Sequence, residues 1–170
     1  MKEKVPFYEI VNMFFTGTVF SIILFLLLYN NITISEQTKL LIHYCEKWSV
    51  IVGAAILVLM YEIGFLLNKL GAVTLGYILP KAKIWPREKY SIDVSEIEKK
   101  NTNFRTMNVE LHVVRTHIIM YLILGIVSAI TKNWIATIAL LLLVVLFVFA
   151  GRRTNSFMNK IKKDYQETKK

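Results

Sequence analysis

Four apolar runs, each close to the length of a membrane span, constrain this chain more than any other feature. They extend from about Phe7 to Tyr29, Trp48 to Leu70, Val113 to Ile130 and Trp134 to Ala150. A bilayer core about 30 Å thick calls for roughly 20 predominantly apolar residues per helix, and all four runs supply or approach that number. With 55% hydrophobic residues and a mean hydropathy of +0.47, the 170 residues carry more apolar surface than one soluble core of this size needs. The expected fold class is an all-α integral membrane protein with four transmembrane helices. A cytoplasmic helical extension is expected between helices two and three.

Basic residues decide the orientation, because Lys and Arg accumulate in segments that stay cytoplasmic. Of the 21 in the chain, only Lys39, Lys47 and Lys132 fall in the first and third connections. The others lie before the first run, in the central stretch from Lys69 at the end of the second run to Arg115 near the start of the third, or after the fourth. An even number of spans with both termini inside accounts for this distribution. The first run follows a basic "MKEK", as a secretory signal does, but it is too long and "YNNITIS" offers no small-x-small cleavage site, so it is expected to stay attached. The net charge of +9 follows from the positive-inside bias and from attraction to anionic inner-leaflet lipid. Direct nucleic-acid binding is therefore not expected.

Residues 71–112 form the expected cytoplasmic segment and residues 151–170 a basic cytoplasmic tail, both parts of a single membrane domain. The opening stretch, "GAVTLGYILPKAKIWPREKY", stays amphipathic as far as Pro80, so the second helix is expected to continue past the membrane. Pro80 and Pro86 each remove an amide donor and interrupt helix. Between them, Lys81, Lys83 and Trp85 read either as a strip lying on anionic headgroups or as a solvated turn with one anchoring Trp. Ser95 and Glu98 in "SEIE" form a capping box, which predicts a helix running unbroken into the third span. Asn101 and Asn103 weaken that continuity without forbidding it. After Arg152 and Arg153, residues Phe157, Ile161 and Tyr165 recur at four-residue spacing among lysines. That pattern predicts a basic amphipathic helix resting on the inner leaflet, or else a frayed solvated terminus.

An acid inside the second run raises the question of its partner. At a rise of about 1.5 Å per residue, Glu62 lies roughly 21 Å from Trp48, while Arg115 and His117 lie roughly 22 and 20 Å from Ile130. The levels match. A lone charge near the bilayer centre costs about 2.5 to 3.5 kcal/mol on insertion scales, so Glu62 is expected to face the bundle with Arg115 as first partner and His117 as second. Glu9, Asn12 and Thr16, at i, i+3 and i+7 of the first run, add one inward stripe. Three readings of this intramembrane polar cluster stand open. It locks helices together at about 1 kcal/mol per contact, lines a hydrated path or gate, or serves a contact between subunits.

Small residues point to close helix approach. Gly17 with Ser21, and Gly125 with Ala129, form small-xxx-small faces, and Gly53, Ala54, Gly64, Asn68 and Gly71 act similarly on the second run. Some of these faces are expected to serve a homo-oligomer and others the packing within one subunit. His112 and His117 are five apart, and His43 with Cys45 completes no zinc set. A single cysteine forms no internal disulfide. With no phosphate loop, dinucleotide turn or nucleophile elbow, no enzyme, metal or cofactor is expected.

The stretch "YEIGFLLNKLGAVTLGYILPKAKIW", followed by "NTNFRTMNVELHVVRTHI", resembles a group of small bacterial four-span proteins of the kind found in phage-defence operons. Their second span ends in an Asn-basic-x-Gly turn, matched here by Asn68, Lys69, Leu70 and Gly71, and then a Pro-Lys pair, Pro80 and Lys81. An Asn-x-x-Arg element precedes their third span, and Asn101 to Arg105 is similar with one residue extra. The resemblance covers about a third of the chain. It implies a bacterial inner-membrane location and a role in permeabilising that membrane or sensing its disturbance. The expected function is then an oligomeric effector or sensor in which residues 71–112 receive a signal or a soluble cytoplasmic partner protein. Glu62, Arg115 and Glu9 would govern its opening. A non-conducting anchor or scaffold for a soluble partner is the alternative. A small transporter ranks lower, since no inverted repeat or broken helix is evident.

Overall fold

Three helix ends in this chain, near Lys83, Asn101 and Lys132, are set by a capping side chain or by a residue in left-handed conformation. The structure, a computed structural model, describes residues 7–29, 49–85 and 94–168. Helix α1 spans Phe7–Tyr29 and α2 spans Ser49–Leu70, followed by a π-helical segment Gly71–Leu75 and a short α3, Gly76–Lys81. Then come α4, Val94–Lys100, α5, Thr102–Ile130, and α6, Trp134–Thr168. Among the described residues there is no strand. Four helical stretches, Glu9–Leu28, Ser49–Lys81, Thr102–Ile130 and Trp134–Thr168, are long and apolar enough to cross a membrane. Expectations that rest on His43, Cys45, Trp48 or Pro86 lie outside the described residues.

Helix α1 pairs with α2 and α5 pairs with α6, while α5 also receives α1, α2, the π segment and α4. The α1–α2 crossing is a contact of backbones. A Cβ on Gly17 would fall on the carbonyl of Met60, and one on Gly64 on the carbonyl of Met13. Small residues at both positions are what lets two helices come this near. Ser21, one turn on, donates to the Gly17 carbonyl at 2.8 Å. Gly71 makes a similar approach to α5, where a Cβ would stand 2.9 Å from the Arg115 carbonyl carbon and oxygen. Gly125 has ordinary contact across the α5–α6 seam, 3.9 Å from the Leu140 Cβ.

Two helix ends close with the same hydrogen-bond pattern. At the end of α3, Ile84 N–H donates to the Leu79 carbonyl at 3.0 Å and Lys83 N–H to Pro80 at 3.2 Å, with Lys83 at φ 58°. At the end of α5, Asn133 N–H donates to Ser128 at 2.9 Å and Lys132 N–H to Ala129 at 3.1 Å, with Lys132 at φ 59°. Each is a Schellman motif, with lysine in the left-handed position that glycine usually takes. The second one reverses the chain and joins α5 to α6 as an antiparallel hairpin.

Buried side chains gather in two clusters. One, reaching toward the α5–α6 turn, joins Leu27, Leu67, Met120, Leu124 and Leu140. Toward the opposite end, here called the tail end, Trp85, Ile97, Phe104, Leu111 and Met158 pack with Leu75 and Leu79. Trp85 is 1% exposed, and Ile97 and Phe104 are 0% exposed. Burying one such side chain is worth about 1.5 to 3 kcal/mol, so this end is a true core and not an appendage.

Three expectations change accordingly. Trp85 does not lie on a surface, because the Schellman turn after α3 swings it inward to Gly151, where a Cβ would fall on its ring. Its Nε1 donates to the Val148 carbonyl at 3.2 Å. The helix from Ser95 does not run on, since Asn101 adopts an extended conformation and caps α5 by accepting from Phe104 N–H at 3.1 Å. Asparagine favours that role over a helix interior. Glu98 accepts from Asn108 Nδ2 at 2.7 Å, which ties α4 to α5. The tail is no separate helix, because α6 continues through Gly151 to Thr168, and Ile161 and Tyr165 pack on the tail-end core instead of a leaflet.

Candidate functional site

Where α1, α2 and α5 converge toward the tail end, they border a partly open cavity of about 200 Å³. Glu9 and Asn12 reach it from α1, Asn68 and Lys69 from α2, and His112 from α5. Met13 and Val113 form apolar walls. Acidic, basic, imidazole and carboxamide residues thus line one opening, and the Lys69 Nζ lies 5.3 Å from the Phe65 ring centre beside it. The helix geometry that makes the space is local. The π segment begins two residues after Lys69, and such wide turns recur at functional sites. Thr116 stands behind the cavity, its hydroxyl 3.0 Å from Asn68 Oδ1 and 2.9 Å from the His112 carbonyl. One hydroxyl proton serves one of the two. Thr16, one turn along α1 from Asn12, is fully buried with its hydroxyl unsatisfied among the described residues.

Counting from the other helix ends puts the cavity residues at one level. At about 1.5 Å per residue, Glu9 lies roughly 30 Å from Tyr29, Lys69 roughly 30 Å from Ser49 and His112 roughly 27 Å from Ile130. Of these residues, the sequence marks Glu9 and Asn12 as one polar stripe and Asn68 as a helix-packing position, and it does not single out Lys69 or His112 as members of the site. The same level count that matched Glu62 to Arg115 would have found them.

Glu62 and Arg115 are matched in level but not in direction. Glu62 is exposed, on the same outer stripe of α2 as Val58, Leu59 and Leu66. The expectation that it faces the bundle is corrected by its angular position. Gly64 fixes the side of α2 that meets α1, and a residue two positions away points about 200° round the helix. Arg115 is half-buried, its guanidinium 5.5 Å from the Trp85 ring centre, a cation–π arrangement joining α5 to the tail-end core. His117 joins neither. It stacks on Phe147 of α6 with ring centres 5.1 Å apart and planes 3° from parallel, and its Nδ1 lies 2.8 Å from the Val113 carbonyl. A carbonyl only accepts, so Nδ1 carries the proton.

Of the residues expected on the membrane surface or at a partner, Lys81, Lys83, Arg152 and Arg153 are exposed. Arg153 lies 5.9 Å from the Phe157 ring centre, and Arg152, Arg153, Phe149 and Phe157 line an open groove on the outer side of α6. Lys100 links α4 to α6 on the surface of the tail end. Its Nζ lies 3.3 Å from the Tyr165 hydroxyl and 3.4 Å from Glu96, and these partners, Tyr165 first, raise its pKa above the ordinary lysine value.

The architecture is that of an all-helical chain with four helices fit to span a membrane, consistent with a multi-pass membrane protein. No protein-family model, curated protein or solved structure matches the chain.

Proposed function

We propose that this chain is an oligomeric four-span protein of the bacterial inner membrane, with both termini cytoplasmic. It acts as a membrane-disrupting effector or sensor in anti-phage defence. The observation that carries the reading is the outward Glu62. In a bilayer its carboxylate would stand roughly 20 Å from Ser49 on a stripe of exposed Val58, Leu59 and Leu66. Hydrocarbon is a poor environment for it, at about 2.5 to 3.5 kcal/mol per charge, and a neighbouring subunit or a hydrated lumen relieves that penalty. The wide apolar belt supports membrane insertion. Exposed side chains such as Phe15, Phe25, Ile135 and Phe149 recur on α1, α2 and α6 beyond what a soluble monomer presents.

The tail-end core, which would lie in the cytoplasm, is the element fit to receive a signal or soluble partner. It connects to the spans through Arg115 on Trp85 and through the continuous α6. Membrane potential followed by dye in cells overproducing the parent and Glu62→Gln tests the effector reading. Depolarisation by the parent and a changed response in the variant are expected, and a parent that never depolarises overturns it. Disulfide trapping of Val58→Cys in a Cys45→Ser background tests assembly, with a crosslinked dimer expected.

The packed tail-end core also favours a second reading, a non-conducting scaffold that recruits a soluble partner. Equal partner capture by parent and Glu62→Gln, without depolarisation by either, is its signature.

A further inference from the structure

We propose that the cavity between α1, α2 and α5 binds a zwitterionic headgroup bearing a primary ammonium and a phosphate, the chemistry of phosphoethanolamine. The inference rests on the membrane reading above. It adds a ligand that reading does not contain.

The level of the site comes first. Glu9, Lys69 and His112 each lie roughly 27 to 30 Å from the far end of their helix, and the hydrocarbon core is about 30 Å thick. The cavity therefore opens where inner-leaflet headgroups lie, while Met13 and Val113 continue toward the acyl region. Its size comes next. At about 200 Å³ and open on one side, the cavity has room for a small headgroup.

Chemistry then selects among headgroups. Lys69 donates up to three hydrogen bonds as a point charge, and the His112 ring and the Asn12 and Asn68 carboxamides are further donors, a set suited to phosphate oxygens. Glu9 opposes them with two acceptor oxygens, which suit an ammonium that has N–H bonds to give. A quaternary ammonium has none, so a choline headgroup satisfies only the phosphate half. A glycerol headgroup leaves Glu9 facing net negative charge. A purely anionic site needs no carboxylate, and a cation site needs no lysine. The bipolar lining fits a bipolar ligand.

Native mass spectrometry of the full-length protein in detergent with equimolar phosphatidylethanolamine, phosphatidylcholine and phosphatidylglycerol of identical acyl chains tests this. Retention of the ethanolamine lipid about tenfold above the other two is expected, the ratio one charge-assisted hydrogen bond supplies. Glu9→Gln is expected to abolish the preference and Glu9→Asp to keep most of it. The Asp variant separates a lost contact from a lost fold. Added O-phosphoethanolamine distinguishes the source. Displacement of the lipid at comparable concentration marks a soluble zwitterion, and failure to displace marks the phospholipid; either outcome keeps the headgroup chemistry. Equal retention of all three lipids by the parent, or an unchanged preference in Glu9→Gln, overturns it. Membrane potential plays no part in this assay. A parent that never depolarises cells thus defeats the effector reading alone, and a parent without lipid preference defeats the cavity reading alone.

Discussion

Trp85 fills the notch that Gly151 leaves in α6, and its indole Nε1 donates to the Val148 carbonyl 3.2 Å away. The Arg115 guanidinium covers the same ring at 5.5 Å. Three separated stretches of chain thus meet on one side chain.

Gly151→Ala should expel that indole. A methyl there would collide with the Trp85 ring and stand 2.9 Å from the Val114 Cγ1, and overpacking of this kind costs about 1 to 3 kcal/mol. Tryptophan fluorescence in a Trp48→Phe, Trp134→Phe background is expected to shift to the red, with a lower melting temperature in detergent. An unshifted spectrum counts against the notch.

The α1–α2 crossing supplies a matched pair of tests. Gly17→Ala or Gly64→Ala places a methyl on a backbone carbonyl that has nowhere to retreat, whereas Gly53→Ala meets nothing within 4 Å. The first two are expected to lower the melting temperature by the equivalent of at least about 1 kcal/mol. Gly53→Ala should be neutral or slightly stabilising, since alanine is the better helix former by about 1 kcal/mol.

Lys132→Gly should stabilise the α5–α6 hairpin. Lysine at φ 59° bears a left-handed penalty of about 1 to 2 kcal/mol that glycine escapes, less what glycine loses in added unfolded-state freedom. A net gain of up to about 1 kcal/mol in thermal denaturation is expected.

The Lys100 contact should weaken in alkali. Tyr165 and Glu96 raise its folded-state pKa above the unfolded value, so the stabilisation is complete below about pH 10.5 and disappears as pH rises through the folded pKa. Tyr165→Phe should bring the pKa back toward its ordinary value. Acylation rate of Lys100 against pH, followed by mass spectrometry, reads the shift directly; identical profiles in parent and variant would refute it.

Hydropathy made the helical spans legible because a long apolar run has one economical solution in lipid and the same solution in a packed bundle. The first two observed helices, Phe7–Tyr29 and Ser49–Leu70, coincide with their apolar runs almost to the residue. The last two overrun theirs, since hydropathy marks where the solvent changes and α5 and α6 continue helical beyond that point as Phe104, Met158 and Ile161 find partners. Direction round the helix was harder to read than depth along it. Depth needs only a count, but direction needs to know which face is the contact face. Gly64 carried that information: once it faces α1, Glu62 must look outward. The burial of Trp85 depends on a turn with lysine in the glycine position, which leaves no signature in the residue pattern.

The π segment has a geometric consequence of its own. Leu67, Gly71, Leu75 and Leu79 are all buried, spaced four apart. At about 100° per residue, an uninterrupted α-helix would let that series drift by about 120°, so Leu79 would slide off the seam that Leu67 occupies. The extra residue held in the wide turn takes back most of the drift and brings the upper and lower halves of the bundle into phase. Removing one residue anywhere in Gly71–Leu75 would leave a more regular helix and a molecule whose two halves are out of step by more than a quarter turn.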